Sequence, residues 1–160
     1  MDEIQFANFE PGCLSNLCAL QSGFYARVWQ LGPKYESVVA SGVGEFLQRY
    51  DSDKDFVRIV KLDNVVKGGI AIDSRDGEQA QLRWFFLSDE LRGLGAGKKL
   101  IIEAMEFVCA QSFKSVFLTT ISGLDAARRL YEMVGFTLAA EKLGSTWGRE
   151  VLEQRFEWHR

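Results

Sequence analysis

Leu82-Arg83-Trp84-Phe85-Phe86-Leu87-Ser88-Asp89-Glu90-Leu91-Arg92-Gly93-Leu94-Gly95-Ala96-Gly97 reads as an apolar strand that runs into an Arg-x-x-Gly-x-Gly turn and then opens a helix. Without Cβ atoms on Gly93, Gly95 and Gly97, the chain can come within hydrogen-bonding distance of a phosphate. The first turn of the helix adds peptide N–H groups that have no partner inside it, at the positive end of the helix dipole. The inference is a phosphorylated ligand, held at a helix N-terminus.

Outward from this turn the chain alternates strand and helix. After it, Gly97, Ile101, Ala104, Met105 and Val108 share one helical face, and Lys98, Lys99, Glu103 and Glu106 lie on the other. A β-branched and aromatic strand follows at 115–121, then a helix opened by Asp125 and closed by Gly135, a strand at 136–142 and a final strand at 149–158. Upstream, a strand at 4–9 is broken by Pro11-Gly12. A helix then uses Leu14, Leu17, Cys18, Gln21, Tyr25 and Val28, and a second runs over 35–50. Strands at 56–62 and 65–72 flank Asp63-Asn64, a dipeptide suited to a tight hairpin, and a third strand spans 79–87. Hairpins first and β-α-β-α-β later predict an α/β fold on a mixed sheet, in one domain spanning residues 1–160.

Composition narrows the function. Hydrophobic residues are 47% and charged residues 26%, and no apolar run approaches the ~18 residues of a membrane span. The acidic start Met1-Asp2-Glu3 suggests neither secretory signal nor transit peptide, so a cytoplasmic protein is expected, with no membrane partner. A net charge of −3 argues against a nucleic-acid partner. Cys13, Cys18 and Cys109 are expected to be buried reduced thiols without metal-ligand spacing, and His159 is the only histidine, so no metal site is expected. A dinucleotide fold fails for want of a third glycine at its spacing. A P-loop fails because no Ser or Thr follows Gly97-Lys98-Lys99.

The strand and turn at 82–97, with Ala126-Ala127-Arg128-Arg129-Leu130-Tyr131-Glu132-Met133-Val134-Gly135-Phe136 downstream, resemble the two signature segments of the GNAT superfamily of N-acetyltransferases. The resemblance implies a mixed sheet of about seven strands with splayed middle strands, flanked by about four helices. It implies acetyl-CoA as cosubstrate, its pyrophosphate on Arg92, Gly93, Leu94, Gly95, Ala96, Gly97 and Lys98, its pantetheine arm along Phe85, Phe86 and Leu87, and further contacts to Leu124 and Ala127. A strand amide near Phe86 or Leu87 would meet the developing oxyanion. Tyr131 takes the proton-donor position. A phenol of pKa near 10 is protonated at pH 7 and close in basicity to a departing thiolate. The resemblance also implies an amine acceptor, small molecule or peptide, and a homodimer. More narrowly, residues 82–86, Ser122-Gly123-Leu124-Asp125-Ala126-Ala127-Arg128 and Trp147-Gly148-Arg149 with 153–157 resemble the acetyltransferase domain fused to MarR-type regulators, here without a winged helix.

Two positions depart from the family pattern. Thr119 stands where many relatives carry a glutamate base, and Leu124 where an asparagine is frequent, leaving Glu45, Glu78 and Glu153 as candidate bases. These departures keep a second function class open, a non-catalytic acyl-CoA-binding or regulatory module. Phe24, Tyr25, Trp29 and Tyr35, with Arg83 or Trp84, are candidates to border the acceptor.

Overall fold

The turn between the first two long strands shows how the sheet is built. Asp63 and Asn64 have φ of 50° and 66°, the left-handed pair that a two-residue hairpin requires. They join β2 (Phe56–Leu62) to β3 (Val65–Asp73). In this computed structural model, which describes residues 3–160, five further strands complete the sheet: β1 (Ile4–Ala7), β4 (Gln79–Leu87), β5 (Ser115–Ile121), β6 (Thr137–Gly144) and β7 (Val151–His159). Met1 and Asp2 of the acidic start lie outside the described residues. The strand order is β1-β2-β3-β4-β5-β7-β6, and only the β4–β5 pair is parallel.

Four helices cover the sheet: α1 (Cys13–Trp29), α2 (Pro33–Arg49), α3 (Ala96–Ala110) and α4 (Asp125–Met133). Alternation along the strands feeds two cores. Ile70 and Ile72 pack with Leu100, Ile101 and Val108 of α3, whereas Ala71 packs with Leu14 and Leu17 of α1 and with Val43 and Phe46 of α2. α1 and α2 therefore cover one face, and α3 and α4 the other. Proline at the first position starts α2, where its missing N–H costs nothing. α4 ends with Gly135 at φ 103°, Gly135 N donating to Glu132 O and Phe136 N to Tyr131 O at 3.0 Å. This Schellman closure fixes the turn of helix that carries Tyr131.

The middle of the sheet departs from regular pairing twice. Gly69 pairs with Phe86 and Ala71 with Arg83, so β4 carries one residue more than β3 between these pairs, a bulge at which Trp84 adopts φ 53°. On its other edge β4 pairs with β5 only from Gln79–Ser115 to Gln81–Phe117. Beyond Gln81 the two strands separate, as the splayed middle strands of the expected fold require. Gly68 is needed on the paired side, since a Cβ there would lie 2.5 Å from Phe86 O.

Several sequence expectations shift. β1 stops at Ala7, and beyond it Phe9 packs tilted against Tyr50 of the α2 end, with ring centroids 5.2 Å apart. β7 begins at Val151 rather than 149, since Gly148 at φ 95° is still turning. The strand expected from 136 begins at Thr137, Phe136 being the buried closing residue of α4, and Cys109 is exposed rather than buried.

At the end of β3, Asp73 is fully buried between two guanidinium groups. Arg49 donates to Asp73 Oδ1 at 2.7 Å and Oδ2 at 2.8 Å, Arg83 to Oδ2 at 3.0 Å, and the Arg75 N–H to Oδ1 at 3.0 Å. Burial alone would raise the carboxyl pKa, but the hydrogen bonds from Arg49, Arg75 and Arg83 outweigh it and hold the group below its ordinary 3.8. A depressed folded-state pKa contributes stability at pH values above the unfolded value, and that contribution is lost as pH falls below it. Asp73→Asn is expected to lower unfolding free energy at pH 7 by ~3 kcal/mol, because Arg83 is left buried without its counter-charge. Urea denaturation from pH 7 down to 3 checks this: the gap between wild type and variant should narrow only below about pH 4.

Candidate active site

The separation of β4 from β5 opens a cleft of about 860 Å³ that runs through the sheet, because residues of both cores line it, Leu118 and Tyr131 from one and Tyr35 and Val39 from the other. At the α3 end lies the glycine turn. A short 3₁₀ turn, Asp89–Leu91, drives the fully buried Leu91 side chain into the core and anchors the loop. Gly93 at φ 76° and Gly95 at φ 80° are left-handed with open space around both, so conformation and not crowding demands glycine. Gly97 has the opposite reason: a Cβ would lie 2.9 Å from Leu87 Cδ1 and 3.2 Å from Leu130 Cδ1.

Gly95 caps α3 without any side-chain hydrogen bond, and the first helical closure is Lys99 N to Gly95 O at 3.1 Å. The N–H groups of Ala96, Gly97 and Lys98 thus begin the helix without helical acceptors, beside the cleft. Arg92, Lys98 and Arg129 line this end, Arg92 with Asp89 at 3.0 Å; Lys99 and Arg128 lie off the wall, turned to Glu103 at 3.2 Å and Glu132 at 2.7 Å. Leu94 is 60% exposed and outside the wall, so of the sequence-selected turn residues only its side chain points elsewhere.

Phe85, Phe86 and Leu87 line the gap along the unpaired edge of β4, opposite Leu124 and Ala127 of the α4 start. Tyr131 also lines it, buried among Phe85, Phe136 and Phe156 with ring centroids 5.9, 6.2 and 5.8 Å away. Burial, reinforced by the neighbouring Tyr25 phenol, pushes the Tyr131 pKa well above its ordinary 10. The phenol is therefore a fixed proton carrier, less acidic than its sequence position implies. Of the candidate bases, Glu78 pairs with Lys114 at 3.0 Å, Glu45 with Arg49 at 3.0 Å, and Glu153 accepts from Thr146 N at 3.0 Å; none lines the cleft. Among the described residues, Asp125 is the one carboxylate that does.

The far end is walled by α1 and α2. Phe24, Tyr25, Trp29 and Tyr35 all line it, and so do both Arg83 and Trp84. Sequence reasoning missed Trp147, in the turn before β7, and treated Gln21 as one more position of an apolar series. A glutamine among leucines on a buried helical face was the available signal.

The profile of the Acetyltransferase (GNAT) family matches residues 16–136. Over 113 residues the chain is 30% identical to YjgM, an uncharacterised N-acetyltransferase of Escherichia coli K12, covering 69% of this chain and 68% of that one. Its fold is similar to a GNAT-family acetyltransferase of Staphylococcus aureus Mu50, with a TM-score of 0.75 at 15% identity over 98% of this chain and 99% of that one. It is also similar to yncA of Salmonella typhimurium, solved with its cofactor acetyl-CoA, with a TM-score of 0.69 at 17% identity over 99% and 93% of the two chains.

The two kinds of glycine should respond differently to alanine. Gly97→Ala is expected to destabilise the fold by ~1–3 kcal/mol through overpacking against Leu87 and Leu130. Gly93→Ala should cost about 1 kcal/mol, as backbone strain alone. Adding Leu87→Ala to each variant separates them in urea melts: the overpacked variant should lose most of its penalty and the strained one should keep it.

Proposed function

The chain belongs to the GNAT acetyltransferase family, and from that premise we propose that it transfers the acetyl group of acetyl-CoA to a primary amine by direct attack in a ternary complex. The observation that carries the reading is a single cleft that joins an uncapped helix N-terminus to a buried phenol through an unpaired strand edge. Acetyl-CoA supplies a thioester whose C–S bond is exchanged for an N–C bond, the amine giving up one proton and the departing sulfur gaining one.

The chain's residues fit that cosubstrate. Ala96, Gly97 and Lys98 offer main-chain N–H groups to a diphosphate, and Arg92, Lys98 and Arg129 offset its charge. The free edge of β4 from Phe85 to Leu87 offers peptide groups to the amide-bearing arm, as another strand would, and N–H groups there stabilise developing negative charge. Leu124 and Ala127 supply apolar contact on the opposite wall. Tyr131 holds a proton at its Oη, ready for the sulfur.

With Thr119 in place of a carboxylate, the acceptor enters as the free amine or loses its proton to water. Desolvation against an aromatic wall lowers an amine's pKa and favours the first course. The acceptor is a small molecule or a peptide amine, and the chain acts as one acetyltransferase domain over residues 1–160 in the cytoplasm, as a homodimer, without membrane or nucleic acid. Its segments at 82–86 and 122–128 support reading it as a relative of the MarR-fused acetyltransferases.

Tyr131→Phe is expected to lower kcat by about 10²-fold while calorimetry registers unchanged acetyl-CoA affinity. Since the reaction needs the protonated phenol and its pKa lies above 10, kcat should show no falling limb as pH rises to 10. Absence of binding heat with both acetyl-CoA and CoA overturns the reading. Binding without turnover of any amine, together with an unaltered Tyr131→Phe variant, replaces it with a binding module.

A further inference from the structure

Charge is distributed unevenly along the cleft. Three cationic side chains line the α3 end, whereas the wall given by α1, α2 and the turn before β7 carries no charged side chain among the described residues. Two guanidinium groups reach this wall from outside it, and both are paired: Arg83 of β4, which also lines this end, with Asp73 at 3.0 Å, and Arg92, 5.6 Å from the Phe24 ring, with Asp89 at 3.0 Å. In place of charge this wall presents aromatic rings. Tyr25 lies 5.5 Å from Trp29 and 4.8 Å from Tyr35, with interplanar angles of 26° and 31°, and Trp147 faces the same space.

One polar group interrupts the wall. Gln21 lies one helical turn before Tyr25, lines the cleft, is 6% exposed, and has its Oε1 buried without a hydrogen-bond partner. A buried amide oxygen left unpaired is costly, and its cost is relieved by a donor from outside the chain.

Resting on the acetyltransferase reading above, we propose that the acceptor is an aryl- or arylalkylamine: a primary amine on a flat, uncharged body that lies against Tyr25, Trp29 and Tyr35, with the Gln21 side-chain amide taking one of its N–H or O–H groups. The wall selects by what it lacks. An amino acid would bring a carboxylate to a wall with no free cation, and a polyamine would bring several ammonium groups to a cleft whose one carboxylate among the described residues, Asp125, belongs to the α4 start and not to this wall; each loses more hydration than it regains in counter-charge. A ring gains apolar and edge or face contacts with the aromatic wall.

The test is thiol release from acetyl-CoA by the full chain with tryptamine, phenethylamine, spermidine and L-lysine, alongside calorimetry of tryptamine binding to the CoA-loaded protein. The aryl amines should exceed spermidine and lysine in kcat/KM by ~10-fold or more. Trp29→Ala and Gln21→Leu should each raise the tryptamine KM and Kd about 10-fold with little change in kcat, and Gln21→Leu should leave Tm unchanged or higher. A purely structural Gln21 would leave KM unmoved. Acetyl-CoA binding with turnover confined to spermidine or lysine, or KM values unaltered in both variants, overturns the acceptor assignment and leaves the acetyltransferase reading intact. Loss of acetyl-CoA binding in the wild-type chain overturns both.

Discussion

One surplus residue in β4 organises the molecule. Fitting Trp84 and Phe85 opposite Ile70 alone bends the strand, and the bend carries β4 away from β5 after three paired positions. Holding a tryptophan at φ 53° costs of order 1–2 kcal/mol, and its surroundings sustain it: Arg83 lies over the indole at 4.4 Å and Phe46 meets its edge at 5.3 Å. Were β4 regular, its N–H and C=O groups would be spent on β5 and the sheet would have no passage.

The buried ion cluster supports the same bend from behind. Asp73 ends β3, Arg83 precedes the bulge in β4, and Arg49 closes α2, so one carboxylate ties three elements together beside the cleft. Gly42 in α2 belongs to this arrangement, because a Cβ there would crowd Arg83 Nη2, the tip of a side chain that Asp73 holds in place. The helix wall and the bent strand are held at a fixed separation by charge and by the absence of a methyl group. This is the kind of rigid surround that a positioned reaction centre needs.

Much of this was legible from the chain. Asp63-Asn64 announced the hairpin, Gly135 the end of α4, and the glycine turn the start of α3, since each imposes a backbone conformation that few other residues adopt. The bulge was not legible. Nothing in Arg83-Trp84-Phe85 demands a left-handed tryptophan, which arises from pairing with β3 on one side and from the loss of β5 on the other. The glycines of the turn looked alike in sequence, yet two answer to φ and one to crowding by Leu87, at the end of the strand before the turn, and by Leu130, a full strand and helix later. Tyr131 was placed by its motif, but the burial that stiffens its hold on a proton comes from Phe85, Phe136 and Phe156, which only the folded sheet brings around it.

The cleft takes its walls from nearly the whole span of the chain, from Gln21 in the first helix to Trp147 in the turn before the last strand. That turn is pressed onto the start of α2, where a Cβ on Gly148 would lie 2.6 Å from Lys34 Cβ. An incomplete or partly unfolded chain consequently possesses no rudimentary version of the pocket. Ligand occupancy is thermodynamically linked to cooperative global folding rather than to any local segment, so saturation with a bound molecule reports, in one number, the fraction of polypeptide that has finished assembling.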